Sequence, residues 1–232
     1  MRIKIINPNT TQSMTDGVYD AAIRVKNEDT EIIAVSPKQG PVSIENFHDE
    51  YTAIVGVMEE VHKGLEENID AFIIACYGDP GLYAAREIAD VPVVGIAEAS
   101  MYMASIVAPK FSIVSVIPRG ILMLEEVVKR YGMEEKCVSI RSSGMTVLGF
   151  EEDPELGAQK LKEAAIIAME EDGAEAICLG CAGMVGFVDN LQKELGIPVF
   201  DGVTAAVKMA EGLVKMGKKT SKRLYFGKSE RS

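Results

Sequence analysis

Two of the four cysteines in this 232-residue chain stand in matching surroundings. Cys76 closes the run Ile69-Asp70-Ala71-Phe72-Ile73-Ile74-Ala75 and opens Cys-Tyr-Gly; Cys181 closes Ala174-Glu175-Ala176-Ile177-Cys178-Leu179-Gly180 and opens Cys-Ala-Gly. A thiol can give a proton, and its thiolate serves as base or nucleophile. The glycine two residues on, Gly78 or Gly183, permits a tight turn whose backbone N–H groups can face an anion or a developing oxyanion. A helical stretch follows each turn, so both thiols are expected near helix N-termini with lowered pKa values. A lone free cysteine more often only packs. Two at duplicated positions, each at the carboxyl end of a parallel strand where α/β sheets keep their ligand crevices, point to a site.

Other candidates carry less. Cys178-Leu179-Gly180-Cys181 spells Cys-x-x-Cys, but Cys178 lies inside an apolar run, and neither Cys137 nor the two histidines complete a tetrahedral spacing. Neither a redox pair nor a metal site is expected, and Cys137 reads as packing at a strand edge. His62 falls in an acidic helix and reads as solvated; His48, beside Asp49 and Glu50, is a weak cleft candidate. Gly212-x4-Gly217-Lys218 resembles a phosphate loop, yet Lys219 replaces Ser/Thr and the glycine ends a helix. No G-x-G-x-x-G follows a strand, so no dinucleotide cofactor is expected. Further strand ends offer ligand contacts: Asn7, then Ser43 and Ile44, then Ile117, Pro118 and Arg119. With Tyr77, Gly78, Asp79, Ala182 and Gly183 from the cysteine turns, these are the candidate substrate-binding residues. Ordinary turn and cap chemistry is the alternative for each.

Short β-branched runs alternate with helical stretches throughout, the pattern of an α/β fold with parallel sheets. Strands are expected at 2–6, 31–36, 71–75, 93–95, 111–116, 138–141, 176–179 and 198–200. Helices are expected after Thr10, near Asp49, and after Pro80, Ala97, Gly120, Asp153, Met184 and Gly202. Thr10 and Thr11, Pro80, and Asp153-Pro154 supply cap or first-turn signals. Beyond the two cysteine runs, Pro92-Val93-Val94-Gly95 follows Cys76 by 16 residues and Pro198-Val199-Phe200-Asp201-Gly202 follows Cys181 by 17. A duplication of about 105 residues is expected, giving two similar lobes about a pseudo-twofold axis: 1–97 with about 205–232, and 98–204. That axis brings both Cys-x-Gly turns to one interlobe cleft.

Composition narrows the classes. The net charge of −11 repels polyphosphate. Lys215, Lys218, Lys219, Lys222, Arg223, Lys228 and Arg231 stand against Glu230 alone after residue 214, leaving about −17 on the rest. This tail reads as solvated or docked on the acidic body, and no nucleic-acid partner is expected. No apolar run nears the roughly 20 residues that span a bilayer. The first residues lack a signal-peptide core, so a cytoplasmic location is expected.

The ordered motifs resemble the hydantoin racemase branch of the aspartate/glutamate racemase superfamily. They are Asn7-Pro8-Asn9-Thr10-Thr11, Gly40-Pro41-Val42-Ser43-Ile44-Glu45, Ala75-Cys76-Tyr77-Gly78-Asp79-Pro80-Gly81-Leu82, Gly95-Ile96-Ala97-Glu98-Ala99, Leu179-Gly180-Cys181-Ala182-Gly183-Met184 and Thr220-Ser221-Lys222-Arg223. The resemblance implies two flavodoxin-like lobes, a homo-oligomer, and a cofactor-independent enzyme with substrate between the lobes. Cys76 and Cys181 would alternate as base and acid, Cys76 serving the D face and Cys181 the L face. The chain departs from the superfamily's amino-acid racemases, whose cysteines are typically followed by Asn-Thr or Thr-Glu. Tyr77 and Ala182 cannot supply that grip on an α-carboxylate, so a neutral ring substrate fits better. Inversion needs a base on one face and an acid on the other. A hydantoin C5–H beside a carbonyl is acidic enough to need no pyridoxal electron sink. The substrate expected is a 5-monosubstituted hydantoin or allantoin, itself a 5-substituted hydantoin. A maleate isomerase-like enzyme and a non-catalytic two-lobed binding protein are the further alternatives.

Overall fold

The computed structural model describes residues 1–227. Lys228, Glu230 and Arg231 of the basic tail lie outside the described residues. The first half runs β1 (Arg2–Ile6), α1 (Gln12–Val25), β2 (Glu31–Val35), α2 (Phe47–Glu66), β3 (Ala71–Ile74), α3 (Leu82–Ile88), β4 (Val93–Gly95) and α4 (Ile96–Val107). The second runs β5 (Phe111–Ser115), α5 (Ile121–Arg130), β6 (Cys137–Ser142), α6 (Gly149–Glu152), α7 (Pro154–Glu170), β7 (Ala176–Leu179), α8 (Val188–Leu195), β8 (Val199–Asp201) and α9 (Gly202–Lys215). Two four-stranded parallel sheets result, ordered β2-β1-β3-β4 and β6-β5-β7-β8. The fold is α/β, and the second sheet repeats the first strand for strand.

The central strands β1, β3, β5 and β7 are almost wholly buried, as near-continuous apolar runs covered on both faces should be. The buried charge among them is Lys4 of β1, whose Nζ lies 3.4 Å from Glu60 and 3.0 Å from Glu67 of the overlying segment. The helices after the fourth strands cross over. α4 packs on β7 and β8, and α9 on β3 and β4, while α4 and α9 pack on each other. One core cluster therefore runs through both sheets, taking in Ile5, Ile73, Val203, Phe111 and Cys178.

Asn46 caps α2, Asp153 caps α7 with Pro154 at the first position, and Asp201 caps α9, each side chain accepting a backbone N–H three residues on. Several expected starts are corrected. Thr11 precedes α1, but its hydroxyl donates to the Val42 carbonyl and leaves the cap position without a side-chain bond. Pro80 does not open α3. Gly81 stands before it at φ 73°, in the left-handed region that favours glycine. α4 begins at Ile96, directly from β4. Residues 182–187 form a 3₁₀ turn, so α8 starts only at Val188. The short α6 had no periodicity to announce it; it buries Phe150 against Phe187, ring centroids 5.7 Å apart. After α9 the chain docks back on the first half, where Thr220 bonds to the Asp90 and Val91 carbonyls and Lys222 Nζ to those of Arg86 and Glu87.

Candidate active site

Cys76 and Cys181 leave their sheets in the same way. Each lies two residues past the end of the third strand of its half, β3 or β7. The residue before each still donates to the neighbouring strand, Ala75 N to Ile6 O and Gly180 N to Val114 O, both at 2.8 Å. A tight turn follows in both, closed by Asp79 N to Cys76 O at 2.9 Å and Met184 N to Cys181 O at 3.1 Å. Within each turn the backbone N–H of the glycine, Gly78 or Gly183, acts to lower the pKa of the cysteine thiol. That is the physical meaning of Cys-x-Gly: a tight turn aims the N–H two residues on at the thiol, favouring thiolate.

Both sulfurs border one cavity of about 550 Å³, its open mouth included. Met14, Ile44, Val116, Met123, Leu124 and Val147 give it an apolar lining, with Asn9, Glu45 and Ser115 as polar groups. Of the residues singled out in the sequence, Cys76, Cys181, Ile44, Tyr77, Gly78 and Ala182 line it. Asn7, Ser43, Asp79, Ile117, Pro118, Arg119 and Gly183 do not. Asn7 is buried and its amide is committed to Asn9 and Thr15. Pro118 and Arg119 are exposed on a 3₁₀ turn whose Gly120 does border the cavity. His48 and His62 are both exposed. Cys178 points into the core beside Tyr77, all four cysteines are free thiols, and no group of three metal-binding side chains occurs among the described residues.

Asp79 works from behind the site. Its carboxylate accepts hydrogen bonds from Tyr131 Oη at 2.7 Å, Glu98 N at 3.0 Å and Ala97 N at 3.2 Å. Arg130 Nη1 donates to Gly78 O at 3.1 Å. The Cys76 turn is thus pinned to the start of α4 and the end of α5. Glu45, Ser115 and Asn9 were not singled out. Glu45 and Asn9 sat inside motifs already quoted, and Ser115 follows Val114 as Asn7 follows Ile6, so extending the repeat to the first strand of each half would have found it.

The electrostatics correct one expectation. Burial pushes the Cys181 thiol up to about 11, with the Glu45 charge adding to the rise and the Gly183 N–H opposing it. Burial pushes Cys76 higher still, against the Gly78 N–H, and charge on Cys181, Glu50 or Asp79 would raise it further. The lowering expected from helix N-termini is overturned. Five residues separate Cys76 from α3, and a 3₁₀ turn separates Cys181 from α8, so desolvation wins. Burial also raises Asp79 to about 7 despite its three donors.

A family model described as Asp/Glu/hydantoin racemase matches residues 3–210. The chain belongs to the Asp/Glu/hydantoin racemase family. It is similar to a hydantoin racemase of Pseudomonas sp. (strain NS671), 59% identical over 96% of this chain and 89% of that protein. A hydantoin racemase of Paenarthrobacter aurescens is 48% identical over 98% and 97% of the two chains. Among solved structures, allantoin racemase from Klebsiella pneumoniae superposes with a TM-score of 0.97 at 44% identity, covering 100% of this chain and 95% of that one. As a member of this family the chain is a racemase-type enzyme, and no helix among its described residues is long and apolar enough to cross a membrane.

Proposed function

We propose that the chain racemises 5-monosubstituted hydantoins at C5 without a cofactor, Cys76 and Cys181 alternating as base and acid. One observation carries the mechanism: two cysteines at repeat-equivalent Cys-x-Gly turns border one cavity. The names of the curated relatives support the substrate class. One cysteine acts as thiolate and the other as thiol. The thiolate takes the proton from C5, the electron pair passes into the adjacent C4 carbonyl as an enolate, and the opposite thiol returns its own proton to the other face. The enzyme is left with the two roles exchanged, ready for the other enantiomer. The lobes 1–97 with about 205–232, and 98–204, hold the substrate between them.

A second reading, allantoin as substrate, is favoured by the likeness to allantoin racemase. The lining favours the first, because Met14, Ile44, Val116, Met123, Leu124 and Val147 suit an apolar 5-substituent better than the polar ureido group of allantoin. Chiral chromatography of single enantiomers of 5-benzylhydantoin, 5-isobutylhydantoin and allantoin, incubated with the enzyme, tests this. Faster loss of enantiomeric excess with the alkyl and benzyl compounds is expected. Racemisation of allantoin alone would reverse the assignment.

A further inference from the structure

Glu45 is the acidic member of the cavity lining, and no lysine, arginine or histidine stands among the described lining residues. Its carboxylate is fixed at one end, where Oε1 accepts Val147 N–H at 3.0 Å across the cleft, 102 residues away in sequence. Among the described residues Oε2 has no donor. Glu45 borders the same cavity as Cys181 and its charge raises the pKa of that thiol. A small cavity that offers an acidic acceptor and no cation suits a neutral molecule with N–H groups and disfavours an anion.

We propose that Glu45 Oε2 accepts a ring N–H of the hydantoin, orienting C5 between the thiols and excluding carboxylate compounds, the ring-opened N-carbamoyl amino acid among them. This rests on the hydantoin reading above. The other polar lining groups are largely occupied: Asn9 Oδ1 accepts from Asn7 and Thr11, and Ser115 Oγ donates to Gly180 O. Glu45 is therefore the charged acceptor in the lining, with a free oxygen to read the ring. In Glu45→Gln the Val147 N–H still claims Oε1, so the amide NH₂ replaces Oε2 and an acceptor becomes a donor.

The test compares kcat/KM for 5-benzylhydantoin with its N1-methyl and N3-methyl derivatives, in wild type, Glu45→Gln and Glu45→Ala. Wild type should prefer the parent over one of the methylated compounds by roughly ten- to a hundredfold, the value of a hydrogen bond to a charged acceptor. Both variants should lose that preference. Taking the ratio across variants cancels the effect of methylation on C5–H acidity and any general loss of activity, which a merely structural role would produce equally for all three substrates. The N-carbamoyl acid should inhibit Glu45→Gln at least about tenfold more tightly than wild type. The same parent-to-methyl ratios in wild type and both variants, or equal inhibition by the acid, would overturn the assignment of Glu45 while leaving the racemase reading intact. A wild type that racemises none of the hydantoins would overturn both.

Discussion

At each cysteine a glycine N–H favours thiolate and burial opposes it more strongly, so the working thiolate is a minor form at neutral pH. If either is the working base, kcat/KM should climb as pH rises above 7, by up to tenfold per unit while thiolate remains scarce. It should still be climbing past the ordinary thiol range of about 8.5. A plateau below pH 8 in a stopped polarimetric assay would contradict the buried-thiol account. Asp79 gives a second pH signature with the opposite consequence for stability. Its folded pKa of about 7 exceeds the ordinary 3.8, so its contribution is fully present below about 3.8 and is lost as pH rises through 7. Urea unfolding of wild type and Asp79→Asn at pH 4 to 8 should show wild type losing stability relative to the variant as pH rises. A difference independent of pH would mean that Asp79 does not titrate in this range.

At the scale of elements, the turns and helix starts carry the site, and close packing fixes them. A Cβ on Gly202 would lie 2.5 Å from the Ile96 carbonyl oxygen, where α4 and α9 begin against each other. Because the obstacle is backbone, Gly202→Ala should cost about 1–3 kcal/mol of unfolding free energy, read as a lower denaturant midpoint. An unchanged midpoint would mean that the two helix starts separate easily. The strands were legible to within a residue or two because each is a short apolar run, and the repeat around Cys76 and Cys181 foretold that the sheets would match. Helix starts were less legible. Pro80 mimicked a first-turn proline although the turn needed Gly81 at positive φ, and α6, only four residues long, is too short to leave a periodic trace. The two thiols could be picked out because their turns are duplicated. Glu45 reaches the cavity through tertiary placement, which spacing along the chain does not record, whereas Ser115 stands where the repeat places Asn7.

Across the whole molecule, the crossing of α4 and α9 joins the halves. Each of these helices leaves one sheet and packs on the other, and the main core cluster is continuous between them. Calorimetry should therefore show one cooperative transition with matching van't Hoff and calorimetric enthalpies for a monomeric unit; two resolved transitions would mean that the halves fold independently. The same arrangement sets two equivalent turns against one cavity, and the central proposal is that their thiols work on opposite faces of one carbon. Hydrogen exchange in D₂O with single enantiomers tests this most directly. Cys76→Ser and Cys181→Ser should each lower racemisation on the order of 10²–10⁴-fold, since a serine hydroxyl is too weak an acid to replace either thiol. The surviving cysteine should still remove and return the proton on its own face. Mass spectrometry of re-isolated substrate should show deuterium entering one enantiomer without inversion in Cys76→Ser, and the other enantiomer in Cys181→Ser. Equal exchange of both enantiomers, or full racemisation by either variant, would contradict the account.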